Sequence, residues 1–125
     1  MRVVLRMDRM PSVKQEGDDL DLCDQKDLDL YFKYNPDGII LVENAKCGKS
    51  CGAAESAISE IAEALELPVN ILSFGKTIDC PALSSSGNPV IVMHKNGKIQ
   101  KSIYPLDTIW ENKKVIEEVF PIEEE

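Results

Sequence analysis

Apolar and polar positions along this chain follow two rhythms, one helical and one extended, which alternate from residue 24 onward. Leu28, Tyr31 and Phe32 recur at i, i+3 and i+4. They follow Asp24, a residue type that caps helix starts, and Asp27, an acid suited to a first turn. Asn35-Pro36-Asp37-Gly38 ends that helix in turn residues. The rhythm then changes. Ile39-Ile40-Leu41-Val42 is continuous rather than alternating, as in a strand buried on both faces. A second helix is predicted over about Gly52–Leu67, with Ala54, Ile58, Ile61, Ala62 and Leu65 on one stripe. Glu55, Ser59, Glu60, Glu63 and Glu66 mostly point away from it. Pro68 stops the helix and Val69–Leu72 is the next strand. Strand, helix and strand in that order make a βαβ unit, normally a right-handed parallel crossover.

Gly75–Asn88 reads as a loop carrying Cys80-Pro81 and the small residues Ser84-Ser85-Ser86-Gly87. Pro89–His94 and Lys98–Ile103 flank Asn96-Gly97, the signal for a type I′ hairpin turn. A final helix over about Leu106–Phe120 is expected to bury Ile109, Trp110, Ile116, Val119 and Phe120. Ahead of these elements, Val3-Val4-Leu5 suits a short edge strand. Pro11, Gly17 and the acidic run Glu16–Asp21 read as a mobile connector. The expected organisation is an extension over 1–21, an α/β domain over 22–120 and an acidic tail over 121–125 that frays at Glu123-Glu124-Glu125. The domain is a central mixed β-sheet flanked by helices.

A chain of 125 residues is one domain with room for a real core. Its formal charge of -8 argues against broad contact with phosphate backbones, so no nucleic-acid partner is expected. The acids of Glu16–Asp29 and Glu117–Glu125 read as solvated faces, or more sharply as docking surface for a basic partner. No apolar run approaches the roughly 20 residues that cross a bilayer, and the N-terminus has no long apolar signal core. The expectation is a cytoplasmic protein without a membrane partner.

The chemistry concentrates in four cysteines: Cys23, Cys47, Cys51 and Cys80. In a reducing cytosol such residues are more often catalytic, metal-binding or buried than paired for stability. Cys47 lies between the end of the buried strand and a helix start, where backbone N–H groups and the helix dipole favour thiolate. Lys46 and Lys49 add positive charge nearby. Thiolate is the attacking species in disulfide exchange, and Cys51 is the natural resolving thiol. Cys80, in the loop before Pro89, is a possible accessory thiol, although a buried or loop cysteine is the simpler reading. Cys23 is read as structural, and so is His94, the one histidine, at the end of its apolar strand.

The element order and these residues resemble the thioredoxin-like superfamily over about Asp24–Phe120. The closest local likeness is Pro89-Val-Ile-Val-Met-His-Lys-Asn-Gly-Lys98, similar to that family's proline, apolar strand and Lys-Asn-Gly hairpin. The turn Asn35–Gly38 and the cysteine after the central strand also fit. The resemblance implies a cis proline at Pro89 that faces Cys47, with Asn88 and Pro89 holding substrate. It also departs from the family: Cys47-Gly-Lys-Ser-Cys51 has one residue more than Cys-x-x-Cys, and no tryptophan precedes it. If residues 48–51 are helical, the two cysteines are i and i+4 neighbours, near the upper end of the distances a disulfide spans. The family's buried acid aligns without gaps to Leu41, and only a shorter loop places Glu43 there.

The leading expectation is therefore thiol-disulfide exchange through Cys47 and Cys51. It needs no cofactor or metal, but it needs a protein or small-molecule disulfide substrate and a reductant partner. Other readings use the same residues. Cysteines could ligate zinc or a [2Fe-2S] cluster, but Cys-x3-Cys lacks a second close pair. Gly48-Lys49-Ser50 matches the tail of a P-loop, but Glu43 stands where its first glycine belongs. An adaptor that keeps the fold without catalysis is the remaining alternative.

Overall fold

The continuous apolar runs become the centre of a five-stranded mixed sheet. The architecture is that of a computed structural model describing residues 4–7, 12–15, 18–44, 47–74 and 78–122. In chain order the elements begin with β1 (Val4–Met7), β2 (Ser12–Gln15), β3 (Asp18–Asp21) and α1 (Gln25–Tyr34). There follow β4 (Gly38–Asn44), α2 (Lys49–Leu65), β5 (Val69–Phe74), β6 (Asp79–Cys80), a 3-10 turn (Pro81–Leu83) and β7 (Ser85–Ser86). The chain closes with β8 (Val90–Lys95), β9 (Lys98–Ile103) and α3 (Ile109–Val119). The sheet runs β1-β5-β4-β8-β9. β5 is parallel to both β1 and β4, whereas β8 is antiparallel to β4 and β9 antiparallel to β8.

Alternation along the central strands divides the core into two layers. Ile40, Val42, Leu72 and Val92 face α1, where Leu28, Tyr31 and Phe32 meet them. Ile39, Leu41, Ile71, Ile91 and Met93 face α2 and α3, packing on Ala54, Ile58, Ile61 and Ile116. Ile39 to Val42 are all fully enclosed, which is why β4 needed no polar side in its pattern. Burial of each such side chain contributes about 1.5–3 kcal/mol. At the far end of β4, Gly38 lies opposite His94. A Cβ there would stand 2.8 Å from the Pro68 carbonyl and 2.9 Å from His94 Nε2, so the strand begins where only glycine fits.

Local signals behave as their chemistry requires. Asp24 accepts the Asp27 N–H at the start of α1, and Thr108 accepts that of Glu111 at the start of α3. Asn96 and Gly97 both have positive φ, as a type I′ turn demands.

Several expectations are corrected. The connector over Glu16–Asp21 is in part a hairpin: β2 pairs antiparallel with β3, while Glu16 and Gly17 lie outside the described residues, as do Val3, Pro11 and Glu123–Glu125. The Gly75–Asn88 loop contains the β6–β7 pair and the 3-10 turn. α2 begins at Lys49 rather than Gly52, and α3 at Ile109 rather than Leu106. Trp110 is 67 % exposed and Ile109 is 40 % exposed, not buried. Both sit in the first turn of α3, and Trp110 turns to the solvent flank, where Lys114 Nζ lies 5.0 Å from its ring centre. The inward face of that helix is carried by Asn112 and Ile116.

Candidate active site

The site begins with a glycine. At the end of β4 the backbone reaches Cys47, whose N–H donates to the Asn44 carbonyl at 3.1 Å, and then reverses at Gly48. Gly48 has φ 73° and ψ -136°, a conformation essentially reserved for glycine. It is also the N-cap of α2, so no side chain caps that helix, and its first turn carries no acid. The unsatisfied N–H groups and positive dipole end are left to act on the thiols beside them. Because the helix starts at Lys49, Cys51 falls in its first turn and is bonded to Cys47, with the Cα atoms 5.7 Å apart. Cys47 is half-buried and Cys51 is buried. Only the first sulfur of the pair is open to an incoming group.

That opening is a cavity of about 510 Å³. One wall is Asn44, Cys47 and Ser50, a second is Gly87, Asn88 and Pro89, and a third is Tyr104 and Pro105. The fold thus brings Cys47, Asn88 and Pro89 to one cavity, with Cys51 behind Cys47. No cis peptide bond occurs among the described residues, so the Asn88–Pro89 bond is trans, unlike the cis proline that the family likeness implies. None of the described lining residues is charged; Lys46 lies outside the described residues.

Tyr104 was not foreseen. It is 68 % exposed, and its loop is held on both sides. Ser50 Oγ donates to Asp107 Oδ1 at 2.8 Å. The buried Asn112 side chain accepts from the Leu106 N–H at 2.9 Å and donates to the Leu106 and Thr108 carbonyls at 2.9 and 2.8 Å. The available signal was a polar residue on the inward stripe of α3, four residues before Ile116, where an apolar one belongs.

Cys80 is placed elsewhere. It is bonded to Cys23 across a sequence separation of 57, with Cα atoms 4.4 Å apart, in the layer between the sheet and α1. Cys80 is 0 % exposed and Cys23 8 %. The accessory-thiol expectation for Cys80 is therefore corrected: its sulfur is committed to a core bridge, because the β6–β7 pair turns it inward rather than toward Cys47. No described cysteine is free.

Among the described residues, Glu43, His94 and Tyr31 are buried ionisable groups. Glu43, near the end of β4, is buried and accepts from Ser73 Oγ at 2.9 Å. By alternation with Ile39 and Leu41 it faces α2, the side on which Cys51 lies. His94, at the other end of the sheet from Cys47, packs on Phe32 and Tyr31. Its Nδ1 lies 3.1 Å from the Pro36 carbonyl, which can only accept, so this nitrogen carries the proton and the bare Nε2 is buried without a partner. Burial pushes its pKa down from 6.5 to about 4. Burial also raises Tyr31, whose hydroxyl meets Asn70, to about 12.

Among the described residues no three His, Cys, Asp or Glu side chains gather as a metal site, and no helix is long and apolar enough to cross a membrane. Comparison with known protein families and with curated proteins finds no match to this chain.

Proposed function

We propose that this protein is a thiol-disulfide oxidoreductase of thioredoxin-like type, working through Cys47 and Cys51. The observation that carries the reading is the asymmetry of the pair. A half-exposed Cys47 opens on the cavity that Asn88 and Pro89 line, while its bonded partner Cys51 is buried in the first turn of α2. The strand order β1-β5-β4-β8-β9, the cysteine after β4 and the proline before β8 support the thioredoxin-like fold. The three-residue spacing between cysteines and the trans proline bond are its departures.

In the reduced protein the Cys47 thiolate attacks one sulfur of a substrate disulfide. The Cys47–substrate bond forms, the substrate bond breaks, and the other substrate sulfur leaves as thiolate and takes a proton. Cys51 thiolate then attacks Cys47 Sγ, re-forming the Cys47–Cys51 bridge and releasing the second substrate thiol. The protein dithiol has given up two electrons and two protons, and the substrate has gained both. A dithiol reductant reverses the protein half of the cycle, so no cofactor enters. Asn88, Pro89 and Tyr104 hold the substrate chain, which is a protein or small-molecule disulfide.

The test is exchange with a fluorescent peptide disulfide, with dithiothreitol as reductant. Cys47→Ser is expected to abolish turnover. Pre-reduced Cys51→Ser, freed of dithiothreitol, is expected to accumulate a Cys47–peptide adduct visible by intact mass. Full activity in Cys47→Ser would sink the proposal and leave an adaptor role for the fold.

A further inference from the structure

The loop that brings Asn88 and Pro89 to the cavity is tied to the second disulfide. Cys80 lies in β6 and pairs in register with Ser85 of β7. The buried Ser85 hydroxyl donates to the Asn88 carbonyl at 2.6 Å. The Gly87 N–H donates to the Ile78 carbonyl at 2.8 Å, and the Ala82 N–H donates to the Cys23 carbonyl at 3.3 Å. A continuous run of one covalent bond, one strand pairing and one hydrogen bond thus leads from Cys23 through Cys80 and Ser85 to the wall of the Cys47 cavity. Pro89 has no N–H to give, and the described β4–β8 ladder starts at Val42 and Val90. The β6–β7 pair has 2 residues in each strand, far too short to stand alone.

We propose that the Cys23–Cys80 bridge, acting through Ser85, is the device that positions the Asn88-Pro89 wall opposite Cys47. The inference rests on the exchange reading for its kinetic consequence but not for its structural one. The bridge is enclosed and takes no part in electron transfer. It fixes where a substrate chain lies, and so it governs binding rather than the reactivity of Cys47, which is set by the start of α2.

Two variants test this: Ser85→Ala, which keeps the bridge, and the double variant Cys23→Ala/Cys80→Ala. Amide hydrogen exchange at Gly87, whose N–H is bonded to the Ile78 carbonyl, and at Val90 should quicken in both, more in the double variant, with α2 unchanged. KM for the peptide disulfide should rise roughly three- to tenfold with little change in kcat, the pattern of lost ground-state positioning. Alkylation of reduced Cys47 by iodoacetamide should keep its rate. If the double variant does not fold, Ser85→Ala alone carries the decision. Unchanged amide exchange at residues 87 and 90 would overturn the inference whether or not the chain exchanges disulfides. A KM rise matched by equally altered alkylation of Cys47 would also overturn it, because the bridge would then act on the whole fold. Absence of turnover in the unmodified protein would remove the exchange reading, while amide exchange still decides this one.

Discussion

The two disulfides contain the same bond and differ in almost everything around it. Cys47–Cys51 closes a sequence separation of 4 at an uncapped helix start, with one sulfur facing a cavity. Cys23–Cys80 closes a separation of 57 inside the α1 layer, with neither sulfur accessible to a partner. Chain-entropy arguments assign the long bridge about 4 kcal/mol of stability and the short one about 2. Role therefore follows environment: the exposed, local bridge is the one that can open without unfolding, and the enclosed, long-range bridge is the one the fold cannot readily spare.

Breaking this contrast directly gives the largest expected effect. Cys23→Ala/Cys80→Ala should lower unfolding free energy in urea by about 4 kcal/mol, against about 2 kcal/mol for Cys47→Ala/Cys51→Ala. In graded dithiothreitol, peptide mapping should find Cys47 and Cys51 alkylated first and Cys23 and Cys80 only once the chain unfolds. Equal costs, or simultaneous reduction, would erase the distinction.

The next effect probes the layer that holds the long bridge. His94 packs there on α1, and its folded pKa of about 4 lies below the ordinary 6.5. The unfolded chain therefore binds the proton first as pH falls. Stability from this group is fully present above pH 6.5 and is lost on descending toward pH 4, by about 3 kcal/mol in all. Chemical denaturation at a series of pH values should show that slope, and His94→Leu should remove it. Gly38→Ala, crowding the Pro68 carbonyl and His94, should cost about 1–3 kcal/mol in the same assay. The smallest stability effect is expected on the cavity side. Tyr104→Ala should shift unfolding free energy by less than about 0.5 kcal/mol while raising KM for the peptide disulfide severalfold.

What the sequence made legible divides along similar lines. α1, β4, β5 and the β8–β9 hairpin were readable because each carries its own local cause: the Asp24 cap, the unbroken Ile39–Val42 run, the Asn96-Gly97 turn. Cys47 was readable as a thiol at a helix start for the same reason. The β2–β3 hairpin was not, since Asp18–Asp21 is rich in acid and poor in β-branched residues. Neither was the start of α2, because Gly48 and Gly52 bracket it and glycine is a poor helix former. The partner of Cys80 was not legible, because partnership between residues far apart in sequence leaves no periodic trace. Tyr104 was missed because its loop is held in part by the Ser50–Asp107 bond, a contact across 57 residues made only once α2 and the start of α3 are docked.

The nesting of the bridges also bears on how the chain acquires them. Four thiols admit three ways of pairing fully, and Cys47 and Cys51 both lie inside the segment that Cys23 and Cys80 enclose. The entropic cost of closing a ring grows with its length, so the nearest pair meets most often in the unstructured chain. Once Cys47 and Cys51 have found each other, Cys23 or Cys80 reaches a wrong partner only by opening that bridge through exchange.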